Sequence, residues 1–184
     1  KITYSNTAGR EFIQIEDNSI GMDAGNLQNA LTIGKRPTNY QGRSKYGMGL
    51  KTAAFWFGDY WEVKTKKYGE EFEYSVKINL RELTQQDDFD MSNQTPKEGV
   101  IVKVVGEEQK TVEEVHSKQA LSLTKIAKPK EEHYTIIFIK ELNQKIHPYT
   151  SGKIKKYLRS IYRRDLERQE LLLFLQNDAL TWSE

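Results

Sequence analysis

Apolar and polar residues alternate in short runs at the start of the chain. Ile2 to Ser5 and Glu11 to Ile15 are predicted strands, joined by Asn6-Thr7-Ala8-Gly9, whose Asn and Gly favour a turn. The second strand breaks at Glu16-Asp17-Asn18-Ser19-Ile20-Gly21-Met22-Asp23, after which Leu27, Ala30 and Leu31 recur at helical spacing. Asp23 is placed to cap that helix or to sit in its first turn. A second glycine turn, Tyr46-Gly47-Met48-Gly49-Leu50-Lys51, opens another helical pattern through Ala53, Ala54 and Phe57, which Gly58-Asp59 stops. Between the two, 32–45 combines Gly34, Pro37, Asn39 and Gly42 with Lys35, Arg36, Arg43 and Lys45. This predicts an irregular basic segment, read either as a lid or as a solvated connection.

Further along, Trp61 to Thr65 and Glu71 to Ile78 alternate around Tyr68-Gly69 and predict a hairpin. Asp87 to Lys97 reads as a loop, and the β-branched run Val100 to Val105 as a strand. The stretch 107–130 is polar with weak helical spacing and reads as an insertion or a flexible excursion. Tyr134 to Ile139, apolar on both faces, is expected to be a central strand. Ser151 to Arg168 predicts a helix with Ile154, Tyr157, Leu158, Ile161, Tyr162 and Leu166 as its apolar stripe. Leu171 to Leu175 then reads as a last core strand, with a turn at 176–179.

At 184 residues the chain suits a single domain over 1–184. It has no cysteine, which removes disulfides and thiolate metal sites and fits a cytoplasmic setting. No apolar run approaches the roughly 18 residues of a membrane span, so no membrane partner is expected. His116, His133 and His147 show no metal-ligand spacing. The net charge of +2 is too small to argue for nucleic acid, and any such case rests on local clusters. One cluster is Lys153, Lys155, Lys156, Arg159, Arg163, Arg164 and Arg168, read as a phosphate-contacting face or as a solvated helix diluted by Asp165 and Glu167. Trp56, Trp61 and Trp182 read as core or edge packing rather than a base-stacking platform.

The two glycine turns have a common chemical reading. Asp17 at a strand end is an acceptor suited to the exocyclic amine of a purine, and Gly21 lets the backbone approach a flat ring. Gly47 and Gly49 at a helix start expose N–H groups to an anion, and Lys51 adds a cation. Adenine at the first turn and phosphates at the second is the implied pose.

Asp17-Asn18-Ser19-Ile20-Gly21-Met22 resembles the DxGxGM motif of the GHKL ATPases, the superfamily of DNA gyrase, MutL, the ninety-kilodalton heat-shock chaperones and histidine kinases. Tyr46 to Ala53 is similar to the second glycine motif in its MORC-type form, and Phe57-Gly58-Asp59 to Lys66 extends the likeness. His133-Tyr134-Thr135-Ile136-Ile137 resembles the GT-containing strand, while 153–162 and the terminal strand and turn resemble bacterial MORC-like proteins. The resemblance implies the GHKL (Bergerat) two-layer α/β sandwich, a mixed and mainly antiparallel sheet with helices on one face. It also implies ATP and Mg²⁺ as cofactors.

By the same resemblance Asp17 accepts the adenine amine, and Gly21 and Met22 shape the base pocket. Tyr46, Gly47, Met48, Gly49, Leu50 and Lys51 hold the phosphates, and Thr135 completes the adenine network. Ser19 stands where the family has its first Gly. Tyr134 replaces the Gly before Thr135, with Gly99-Val100 as a rival position. The family's water-activating Glu and Mg²⁺-binding Asn lie on a helix expected upstream of Lys1, so no catalytic residue is assigned in this chain. The implied function is an ATP-gated conformational and dimerisation switch, an ATPase if that helix is supplied, with links to DNA or defence. The alternative is a non-hydrolysing nucleotide-binding or DNA-binding module.

Overall fold

The computed structural model describes residues 1–31, 53–54, 56–79, 81, 103–105, 111–114 and 121–182. Its centre is a ten-stranded sheet in the order β10-β9-β1-β2-β8-β3-β4-β7-β6-β5. The first five strands are β1 (Ile2–Ser5), β2 (Phe12–Asp17), β3 (Gly58–Lys66), β4 (Phe72–Asn79) and β5 (Lys103–Val105). The others are β6 (Thr111–Glu114), β7 (Leu121–Ala127), β8 (Tyr134–Leu142), β9 (Leu173–Leu175) and β10 (Asp178–Leu180). The pairings are antiparallel except β1 with β9, so the sheet is mixed and mainly antiparallel.

Strand alternation divides the side chains between two faces. Ile13, Trp61, Val63, Val76, Ile78 and Ile139 occupy one face and are buried there with Leu27 of α1 (Ala24–Leu31) and with Ala54. Ile2 and Tyr4 continue this face to the other end of the sheet, where Leu173, Leu175 and Leu180 meet α2 (Pro148–Ile161) and α3 (Arg163–Glu167). Helices on one face of the sheet make the two-layer α/β sandwich.

β8 is central, as its two apolar faces lead one to expect, and it lies between β2 and β3. The hairpin β3–β4 runs in register from Tyr60↔Asn79 to Lys66↔Glu73, with Tyr68 and Gly69 at its turn. Three elements differ from the sequence reading. Within 107–130, read as an insertion or a flexible excursion, the described residues form β6 and β7, which extend the sheet, and β7 pairs with β4 from Phe72↔Ala127 to Ile78↔Leu121. Leu121 and Leu123 alternate with Ser122 and Thr124, but the period breaks at Lys125-Ile126, which is why the strand is hard to read among polar surroundings.

The helix expected over 151–168 starts earlier, with Pro148 in its first turn, and breaks into α2 and α3 at Tyr162 (φ −100°, ψ 18°). Ile154, Leu158, Tyr162 and Leu166 pack inward, but Tyr157 and Ile161 are 67% and 70% exposed. The inward stripe is therefore narrower than the apolar pattern suggests. Trp61 is buried in the core, whereas Trp56 is exposed. The predicted turn at 176–179 tightens to 176–177, because Asp178 to Leu180 form β10. Among the described residues no helix is long and apolar enough to cross a membrane.

Candidate functional site

Asp17 is the last residue of β2 and lies directly opposite Thr135 of β8. Thr135 in turn lies opposite Thr65 of β3, so three polar residues share one level of the sheet. The pattern places all three on the helix-covered face, at the end where the apolar residues Ile13, Ile137 and Val63 give way to polar ones. Thr65 is fully buried and Thr135 is 9% exposed, while Asp17 is open to solvent. The result is an accessible carboxylate with two sheltered hydroxyls behind it.

The turn after Asp17 has a defined shape. The Ser19 N–H donates to Asp17 Oδ1 at 3.0 Å and the Ser19 hydroxyl donates to the same oxygen at 2.5 Å. Ser19 has no positive φ, so the side chain in place of the family's Gly is accommodated without left-handed backbone. Gly21 does adopt a positive φ of 74°. The turn then crosses the end of β3: the Met22 N–H donates to Thr65 Oγ1 at 2.8 Å, and the Tyr68 N–H donates to the Ile20 carbonyl at 2.9 Å.

Neighbouring side chains hold the turn from outside. His133 Nδ1 is 3.0 Å from the Ser19 carbonyl, which can only accept, so this nitrogen carries the proton of that bond. The His133 ring also meets the Tyr68 ring edge-on. Asp23 caps α1 by accepting the Asn26 N–H at Oδ1, 2.7 Å away, and its Oδ2 pairs with Lys67 Nζ at 2.7 Å. The hydrogen bond from Lys67, together with that from the Asn26 N–H, holds the Asp23 carboxyl below the usual carboxylate range. Asp23 correspondingly raises Lys67. Lys66, fully buried, donates from Nζ to the Lys67 and Glu70 carbonyls at 2.9 and 2.6 Å and closes the hairpin turn.

The structure thus brings Asp17, Gly21, Met22 and Thr135 to one end of the sheet. Tyr46, Gly47, Met48, Gly49, Leu50 and Lys51 lie outside the described residues, as do the basic segment 32–45 and the rival position Gly99-Val100. Helical residues at 53–54 and 56–57 agree with the helix expected after the second glycine turn. Thr65, Lys67 and His133 were not singled out by sequence reasoning. For Thr65 a signal existed, since strand alternation puts it on the buried face with Trp61 and Val63. Among the described residues no group of three or more His, Asp and Glu side chains is arranged to hold a metal ion.

Comparison with known proteins bears on the family rather than on these residues. The profile of histidine kinase-, DNA gyrase B- and HSP90-like ATPases matches residues 1–111, a range that includes both glycine turns and ends before β7 and β8. No curated protein matches the chain. The match spans more than half of the chain, and with the α/β sandwich it identifies the protein as a member of the histidine kinase-, DNA gyrase B- and HSP90-like ATPase family, with an ATP-binding domain.

Proposed function

We propose that this domain is a MORC-like, ATP-gated conformational switch whose base pocket is the polar end of β2, β8 and β3. The observation that carries the reading is the Asp17 carboxylate, directly across the sheet from the sheltered Thr135. Asp17 accepts the exocyclic amine of adenine, Thr135 serves the neighbouring ring nitrogen, and Gly21 and Met22 form the floor. The phosphates belong to Tyr46 to Lys51, where helix-start N–H groups and Lys51 favour an anion. ATP binding is then coupled to closure over the nucleotide and to homodimerisation.

Hydrolysis requires a general base within hydrogen-bonding reach of water, and in this reading the helix-borne Glu of the family would supply it. Mg²⁺ would neutralise phosphate charge, and the described residues gather no ligand set for it.

DNA is the second proposed partner, contacted by the basic side chains of α2 and α3. Some of this charge is already engaged: Lys155 pairs with Asp178, and Arg163 pairs with Glu167 and lies over the Trp182 ring. Titration with ATP and Mg²⁺ tests the pocket. Asp17→Ala is expected to weaken ATP at least about tenfold, in line with loss of a hydrogen bond to a charged group; equal binding by wild type and variant would sink the assignment. Phosphate release by the full-length protein separates an ATPase from a binding module. Steeply salt-dependent DNA binding that survives Asp17→Ala supports the DNA surface; salt-independent or absent binding removes it.

A further inference from the structure

Thr65 makes three contacts that its one hydroxyl can satisfy in two different arrangements. Its Oγ1 accepts the Met22 N–H at 2.8 Å and lies 3.2 Å from both the Tyr134 carbonyl oxygen and Thr135 Oγ1. A threonine hydroxyl has one proton to donate. If Thr65 gives it to the Tyr134 carbonyl, Thr135 must spend its own proton on Thr65 to complete the third bond. If Thr65 gives it to Thr135 Oγ1, the Thr135 proton is released to point elsewhere.

The two arrangements present opposite faces to a ligand. In the first, Thr135 offers only lone pairs. In the second it is a donor, polarised by the bond it receives from Thr65. Adenine presents a donor at its exocyclic amine and an acceptor at the adjacent ring nitrogen, N1. With Asp17 taking the amine, N1 requires a donor.

We infer that Thr65 is a positioning residue for base recognition: its fully buried hydroxyl ties the Met22 end of the glycine turn to Thr135 and, when adenine binds, turns its proton from the Tyr134 carbonyl to Thr135, making Thr135 the donor to N1. The inference rests on the adenine reading of Asp17 and Thr135. Thr65 itself touches no ligand. It also explains why the turn and the base reader are aligned, since the same oxygen holds both.

The test compares ATP with 1-deaza-ATP, in which C–H replaces N1, by calorimetric titration of the chain and its variants. Wild type is expected to prefer ATP by about threefold to tenfold, the size of one hydrogen bond. Thr65→Val, which removes the hydroxyl at nearly constant volume, should shrink that preference towards unity by weakening ATP more than the analogue. Thr65→Ser, which keeps the hydroxyl, should preserve it. Equal weakening of both ligands in Thr65→Val, or an unchanged preference, overturns the inference. So does loss of the preference in Thr65→Ser, a result that stands even if Thr65→Val fails to fold. Failure of the underlying reading looks different: wild type then shows no ATP binding, or binding that Asp17→Ala leaves intact.

Discussion

A β-carbon added to Gly21 would fall 1.9 Å from the carbonyl oxygen of Lys66, so the glycine turn and the end of β3 meet backbone to backbone. With φ at 74°, Gly21 is also in a conformation that costs other residues roughly 1–2 kcal/mol. Gly21→Ala is therefore expected to destabilise the fold by more than about 2 kcal/mol in urea unfolding and to abolish ATP binding. Gly9 is a natural control, with the same φ of 74° but open space around it. Gly9→Ala should cost about 1 kcal/mol and leave ATP binding unchanged. Similar losses for both would show that close approach is unimportant.

The Asp23–Lys67 pair sets a pH window. Asp23 is lowered on folding, chiefly by the Lys67 hydrogen bond, so its contribution is present above the ordinary carboxylate range and is lost as pH falls through its folded value. Lys67 is raised, so its contribution is present below the ordinary lysine range and is lost as pH rises through its folded value. Asp23→Asn keeps a capping side chain but removes the ion pair. Its Tm should lie below wild type at pH 7, and the two should converge at acid pH. A difference that persists unchanged to pH 2 would assign the effect to capping alone.

On the opposite face of the sheet, the Tyr134 hydroxyl donates to the nearly buried Glu73 carboxylate. Burial raises the Tyr134 phenol, and the Glu73 hydrogen bond and charge raise it further. Because the folded value lies above the ordinary one near 10, the contribution is present below that value and is lost as pH rises through the folded value. Ultraviolet titration should find that Tyr134→Phe removes a phenol titrating well after the ordinary ones. The variant should also lose about 1–3 kcal/mol at pH 7, the cost of leaving a buried acceptor without its donor. Wild-type stability in Tyr134→Phe would contradict this role.

Lys66 closes the hairpin turn whose Tyr68 N–H holds Ile20. Lys66→Met keeps a long apolar stem but removes both donors, and an unfolding free energy lower by about 1–3 kcal/mol is expected. Amide exchange at Tyr68 should accelerate with it. Unchanged protection there would mean that the turn holds its shape without the ammonium.

Much of the sheet was readable because its strands carry their own period. β3, β4 and β8 announce themselves by alternation or by continuous β-branched and aromatic residues. The positions of Asp17 at a strand end and Gly21 in the next turn were readable from the break in alternation, while the ligand role proposed for them rests on the family resemblance. The insertion of β8 between β2 and β3 was not readable, since register between distant strands depends on packing rather than local preference. Thr65, Lys67 and His133 share that limit. Each acts by touching the glycine turn from a remote part of the chain, as in the separation of 114 positions from Ser19 to His133. The narrower stripe of α2 has a geometric cause, because apolar composition alone does not say which side meets β9 and β10.

The location of β8 also governs when the proposed base pocket can exist during synthesis. Residues 1–111 include the whole family match, yet in a nascent chain of that length β2 and β3 lack the strand that lies between them. Asp17 and Thr65 have no Thr135 beside them until the ribosome has released β8. On the proposed reading nucleotide capture follows the synthesis of β8, and until then β2 and β3 present unpaired edges, the kind of surface chaperones shield. Once β8 is seated, bound nucleotide favours the completed sheet over any partly assembled form by mass action.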